Sequence, residues 1–154
     1  RAWRAVTALA ASREAAPATT YVSAVVGPEG FWCASVGDSR AYWLPDQGPG
    51  IVLTEDDTGA YGALSAWLGA DADAPVPPVH HRRPASAGWL LLCTDGLSRY
   101  LPRPADVRAV VASRTGALDG ARALVDHALA AGGADNVTAL LMRVAPASTA
   151  SGRS

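Results

Sequence analysis

The chain has 154 residues, 49% of them hydrophobic, with thirteen basic and fourteen acidic side chains and a formal charge of -1. That size and composition suit one domain with a real core, and near-neutral charge without a basic stripe excludes nucleic acid as an expected partner. No stretch reaches the roughly 18 apolar residues of a membrane span and no charged-then-apolar leader opens the sequence, so neither a membrane protein nor an exported one is expected.

Residues 1 to 14 carry Trp3, Val6, Leu9 and Ala10 near helical spacing, which predicts one helix ending before Pro17. The only methionine is Met142 and the sequence opens inside this stretch, so a true N-terminus upstream is expected. Residues 19 to 26 are rich in Thr, Tyr and Val, Gly27-Pro28-Glu29-Gly30 supplies a turn, and residues 31 to 36 are again strand-like, together predicting a hairpin. A strand is expected over 40 to 44 and a short one over 51 to 53. Residues 54 to 81, with three prolines and one weak periodic patch at 64 to 68, are expected to be mostly loop.

Trp89-Leu90-Leu91-Leu92-Cys93 is a continuous apolar run between Gly88 and Asp95, short enough for a central strand buried on both faces. Pro104 with Val107, Val110 and Val111 marks a helix. Ala121, Leu124, Val125, Ala128 and Leu129 mark a second, ended by Gly132-Gly133. Residues 137 to 144 return to strand, and the small, polar tail at 146 to 154 is expected to be disordered. Trp32, Trp43 and Trp89 lie in strand-like runs and are expected in the core. Cys33 and Cys93 sit in apolar runs without metal-ligand spacing, which suits free thiols in a reducing, cytoplasmic compartment.

Three acidic turns stand out, at Asp38, Asp95 and Asp135. The Asp95 carboxylate leaves an apolar strand, that of Asp135 precedes one, and neighbouring glycines give the backbone room to turn sharply. Should those strands be neighbours, the carboxylates converge with no lysine near them. Hard divalent cations bound by oxygen, Mg²⁺ or Mn²⁺, offset such repulsion. A pair of them about 3.5–4 Å apart orients and acidifies a water for in-line attack on phosphorus. Each turn alone is an ordinary turn or capping sequence; the weight lies in their conjunction and order.

Gly37-Asp38-Ser39-Arg40-Ala41-Tyr42, Leu53-Thr54-Glu55-Asp56, Cys93-Thr94-Asp95-Gly96-Leu97 and Gly133-Ala134-Asp135-Asn136-Val137-Thr138 resemble, in order, successive motifs of the protein phosphatase 2C (PPM-type) family. The resemblance covers residues 19 to 144. It implies an α+β fold, a four-layer αββα sandwich of two antiparallel sheets flanked by helices, with residues 1–145 forming a partial phosphatase domain incomplete at its N-terminus. It implies hydrolysis of phosphoserine and phosphothreonine on proteins through a metal-activated water at a binuclear Mn²⁺ or Mg²⁺ centre, with a possible third ion and a cognate serine/threonine kinase. Asp95 and Asp135 match the family's metal-ligand aspartates. Asp38 matches a position that helps hold the third ion, with bracing of its own turn through Arg40 or backbone N–H groups as the structural alternative. Asn136 is expected to act as a turn residue or hydrogen-bond partner.

The sequence also departs from that family. The Asp-Gly-x-Gly-Gly stretch whose aspartate bridges both metals is absent, so half of the metal cage is missing and the chain alone is expected to be inactive. The flap between residues 53 and 68 is short, and Asp57 replaces a histidine common there. Two rivals follow: a non-catalytic phosphatase-like binding domain, and a cysteine-based phosphatase using the Cys-x-x-Gly-x-x-Arg spacing from Cys93 to Arg99. Against the latter, Asp95 would repel a phosphate dianion and nothing in the sequence lowers the thiol pKa. His80-His81-Arg82-Arg83 is expected to be a solvated loop.

Overall fold

The computed structural model describes residues 1–12 and 14–147. The first helix, α1 (Ala2–Thr7), is shorter than the expected run to residue 14, and none of its residues is buried. So short a helix depends on tertiary packing. Its long-range polar tie is Trp3, whose Nε1 donates to the Gly69 carbonyl at 3.0 Å, whereas Leu9, expected on the apolar face, is 75% exposed. Nothing anchors the alanine-rich residues that would prolong it.

After β1 (Ala18–Thr19), the expected hairpin forms from β2 (Tyr21–Gly27) and β3 (Gly30–Val36), with Pro28 and Glu29 at its tip. Gly30 is required there: its φ is +134°, and a Cβ would lie 3.0 Å from the carbonyl carbon of Arg82 in a strand on the other side of β3. Next come β4 (Arg40–Pro45) and β5 (Ile51–Val52), then a loop with one 3₁₀ turn at Ala60–Gly62 and the two-residue β6 (Leu68–Gly69), which pairs with β1.

The expectation of a loop at residues 80 to 83 is corrected by β7 (Val79–Arg82), which pairs antiparallel with β3. All four of its side chains are exposed, so the strand is held by backbone hydrogen bonds at a sheet edge and shows no apolar alternation. His81 stacks on Trp32 with ring centroids 4.5 Å apart. Trp32 therefore lies on the outer side of the sheet and not in the core, while Trp43 is buried and Trp89 packs at the margin of the core.

The rest follows the sequence pattern: β8 (Gly88–Cys93), α2 (Asp95–Ser98), α3 (Pro104–Val111), α4 (Ala117–Ala130) and β9 (Ala139–Val144). Only the four-residue α2 was not anticipated. The sheets are antiparallel, with strand orders β5-β4-β8-β9 and β2-β3-β7.

β8 is central, and its neighbours Leu90 and Leu91 point to opposite faces, both 0% exposed. On one face Leu90, Ala41, Trp43 and Val144 meet Phe31 and Cys33 of the smaller sheet, the Phe31 and Trp43 rings lying 5.1 Å apart. On the other, Tyr42, Leu91 and Leu141 meet Val107 and Val111 of α3 and Leu124 and Ala128 of α4. Each such buried side chain contributes about 1.5–3 kcal/mol. The outer face of the smaller sheet carries Val25 and Val79, 66% and 65% exposed.

The architecture is thus mixed α+β with two antiparallel sheets stacked through a shared core and helices on the far side of the larger one. No helix among the described residues is long and apolar enough to cross a membrane. The Ala147 N–H donates to the Pro84 carbonyl at 2.8 Å; residues 148–154 of the expected tail lie outside the described residues.

Candidate active site

Asp38 sits in the turn that carries β3 into β4, and other residues hold that turn. The Gly37 N–H donates to Asp57 Oδ2 at 2.9 Å, and the Asp57 N–H donates back to the Gly37 carbonyl at 3.0 Å. Arg40 forks onto Asp56, Nε to Oδ1 at 2.8 Å and Nη2 to Oδ2 at 2.6 Å. The Thr20 and Ser39 hydroxyls are 2.8 Å apart. Bracing through Arg40 therefore falls to Asp56 and not to Asp38. Burial raises the Asp38 pKa, and the nearby Asp95 carboxylate raises it further by repulsion; the residue's own backbone N–H opposes the shift, as does Arg40.

Asp95 opens α2 where β8 ends, and Arg99 one turn later reaches its Oδ2 at 3.4 Å. Thr94 laces this turn to the one preceding β9. Its hydroxyl donates to the Asn136 carbonyl at 3.2 Å and accepts from the Thr138 N–H at 3.0 Å. Gly96 lets the two turns close, since a Cβ there would lie 3.0 Å from the Asn136 carbonyl carbon and 3.4 Å from Asp135 Cβ. Asp135 Oδ1 accepts the Asn136 N–H at 2.7 Å, so Asn136 serves the turn through its backbone. Tyr100 adds a brace, its hydroxyl accepting the Ala134 N–H at 3.1 Å.

Asp38 and Asp95 line a single cavity of about 260 Å³ together with Arg40, Asp56, Ser98 and Arg99. Asp135 lies against Gly96 but does not line that cavity. In kind, the donors fit a hard cation: of the three carboxylates that face this space Asp56 is paired with Arg40, which leaves Asp38 and Asp95 as like-charged oxygen ligands. In number they do not, because among the described residues no three of His, Cys, Asp and Glu cluster closely enough to hold an ion.

A family model described as protein phosphatase 2C matches residues 1–131. The chain belongs to the protein phosphatase 2C family. Among solved structures it is similar to the catalytic domain of the serine threonine protein phosphatase PstP in complex with two manganese ions, with 25% identity and a TM-score of 0.67 over 82% of this chain and 59% of that one. The serine/threonine phosphatase of S. agalactiae superposes with a TM-score of 0.74 at 23% identity, over 90% and 65% of the two chains. PppA, a regulatory component of T6SS in Pseudomonas aeruginosa, gives 0.61 at 25%, over 76% and 53%. The chain spans less than two thirds of each of these structures. No curated protein sequence matches it.

Within this protein phosphatase 2C chain the cysteine alternative fails on geometry. Cys93 is buried and its pKa is pushed up to about 12, chiefly by that burial, while Arg99 is engaged by Asp95. A neutral, enclosed thiol is no nucleophile. Arg40 braces the Asp38 turn as the sequence suggested, but through Asp56; Asp56 and Tyr100 escaped sequence reasoning as site-building residues, for their approach to the acidic turns is set by the fold, and Thr94 was read only as part of the motif around Asp95. Asp57 was noted only as a departure, yet a carboxylate one residue past the Leu-Thr-x-Asp run is what caps Gly37.

Proposed function

We propose that the chain carries part of the active centre of a metal-dependent protein serine/threonine phosphatase, completed by residues outside it. The observation that carries this proposal is the shared cavity of Asp38 and Asp95, where two carboxylates repel each other across a space lined by oxygen donors. Asp95 and Asp135 would be ligands of a Mn²⁺ or Mg²⁺ pair, PstP being a similar structure that is in complex with two manganese ions, and Asp38 would join Asp95 on a third ion. Such ions supply an acidified, oriented water and a positive clamp on phosphoryl oxygens. What this chain's residues do is positional: Thr94 and Gly96 hold the Asp95 and Asp135 turns together, and Asp57 and the Arg40–Asp56 pair hold Asp38 toward the cavity. The substrate class is a phosphoprotein, placed opposite a cognate serine/threonine kinase in the cytoplasm.

A non-catalytic phosphatase-like role is favoured by one observation, the absence of any three-residue ligand cluster among the described residues. Mn²⁺ titration into this chain and p-nitrophenyl phosphate hydrolysis by the chain extended at its N-terminus with an Asp-Gly-x-Gly-Gly strand separate the two. We expect weak, non-stoichiometric Mn²⁺ binding to the chain alone, Mn²⁺-dependent hydrolysis by the extended chain, and loss of that hydrolysis by about a hundredfold or more in Asp95→Asn and Asp135→Asn, since even outer-shell partners of a metal are worth 10–100-fold. Unaltered turnover in both variants would sink the catalytic assignment, and no turnover by the extended chain would leave the binding role.

A further inference from the structure

A second, wider cleft lies beside the acidic one. It has a volume of about 670 Å³ and opens between the connector after α2, the exposed side of α3, and α4. Tyr100, Pro102, Ala109, Val110 and His127 supply rings and aliphatic surface, and Arg103 stands at the rim. Two features make it part of the neighbouring site and not a separate hollow. Arg99 and Pro102 line this cleft and the Asp38–Asp95 cavity alike, so the two spaces adjoin at these residues. The walls are also pre-set. Arg103 forks onto Asp106 at 2.8 and 2.7 Å, Arg99 reaches Asp95, and the Tyr100 hydroxyl is fixed by Ala134. A surface that needs no ordering on binding loses less affinity to entropy.

We propose that this cleft takes the part of the phosphoprotein that flanks the phosphorylated residue, seating one large apolar side chain against Tyr100, Pro102, Val110 and His127. The inference rests on the phosphatase assignment of the acidic cavity. A chain whose phosphoryl group is held there and which leaves over Pro102 runs into the cleft, where its next large side chain meets apolar surface. The substrate class is thereby narrowed to phosphosites with an apolar residue at one fixed offset. Val110 and Tyr100 are partly buried against the helical core, which makes them poor positions for substitution, whereas Ala109 is exposed and forms the cleft wall.

The test is fluorescence anisotropy with the full chain in Mn²⁺, using labelled Ser/Gly decapeptides that carry one phosphothreonine and a single Leu walked through the flanking positions, each with an unphosphorylated twin. One Leu position should bind about tenfold tighter than the Leu-free phosphopeptide, the gain from partly burying that side chain. Ala109→Trp, which fills the cleft, should abolish the gain, while Ala109→Ser keeps it. No gain at any position, or a gain that survives Ala109→Trp, overturns the proposal. A gain that is equal with and without phosphate upholds the cleft as an apolar docking site but overturns the phosphoprotein assignment.

Discussion

Gly96→Ala is the sharpest single perturbation, since it puts one methyl group between the two turns that carry Asp95 and Asp135. The new Cβ falls inside contact distance of the Asn136 carbonyl oxygen and 3.0 Å from its carbon, and both atoms are backbone, so no rotamer change relieves the overlap. Carbon atoms at rest stay about 3.5–4.0 Å apart, so one turn must retreat by roughly half an ångström or more. Overpacking of this kind costs about 1–3 kcal/mol, and the helical advantage of Ala over Gly at a position inside α2 returns about 0.5–1. The net loss, up to about 2.5 kcal/mol, lowers the Tm of a chain this size by about 2–4 °C per kcal/mol. The same retreat pulls on both Thr94 hydroxyl bonds, so the Thr138 amide should exchange with solvent faster than in the parent. Gly27→Ala is the control, for its new Cβ would meet nothing closer than the Trp32 ring at 3.6 Å, an ordinary contact. Thermal unfolding by circular dichroism and amide exchange by NMR measure both effects. Equal Tm for the two variants, with Thr138 exchange unchanged, would refute the close-approach role of Gly96.

A double-mutant cycle on Arg40→Ala and Asp56→Ala should return a coupling of about 1 kcal/mol, the top of the range for exposed pairs because the contact is forked and both side chains are only about a quarter exposed; a coupling of zero in urea unfolding removes this pair as the brace of the Asp38 turn. Cys93 should resist iodoacetamide in the native chain at pH 8.5 and react once unfolded. An unfolded thiol ionises near 9.0, whereas the folded one stays neutral to about 12; the unfolded chain therefore releases a proton that the folded chain retains, and stability falls as pH rises across that window. Wild type should lose stability more steeply than Cys93→Ser there, and parallel profiles would contradict the burial of the thiol.

Which elements the sequence revealed follows from where each one is anchored. β8 and α4 owe their stability to apolar side chains facing a core, and those side chains recur with the period of the element, so Leu90 and Leu91 or Leu124 and Ala128 could be read directly. β7 owes its stability to the backbone of β3; Val79-His80-His81-Arg82 has no period to read, and prolines on both sides argue for a loop. α1 errs in the other direction. Its spacing is helical, but no surface covers Leu9, and periodicity states only what a helix would bury, not whether a partner exists.

The same distinction governs the acidic turns. Asp38, Asp95 and Asp135 were legible because an aspartate beside glycine or asparagine at the end of an apolar strand is a local pattern. Their grouping was not. Asp38 shares a cavity with Asp95 because β4 pairs with β8, Arg40 opposite Cys93, which places the turn before β4 beside the turn after β8. Asp135 meets Gly96 because β9 pairs with β8 on the other side, Ala139 opposite Cys93. Cys93 is thus the register point from which both approaches are measured, and its burial explains why it is a packing residue. A one-residue slip of β4 would exchange Ala41 and Trp43, which face the smaller sheet, with Tyr42 and Leu44, which face the helices, so the two unlike cores on either side of β4 fix the spacing of its turn to Asp95 as firmly as they fix the packing.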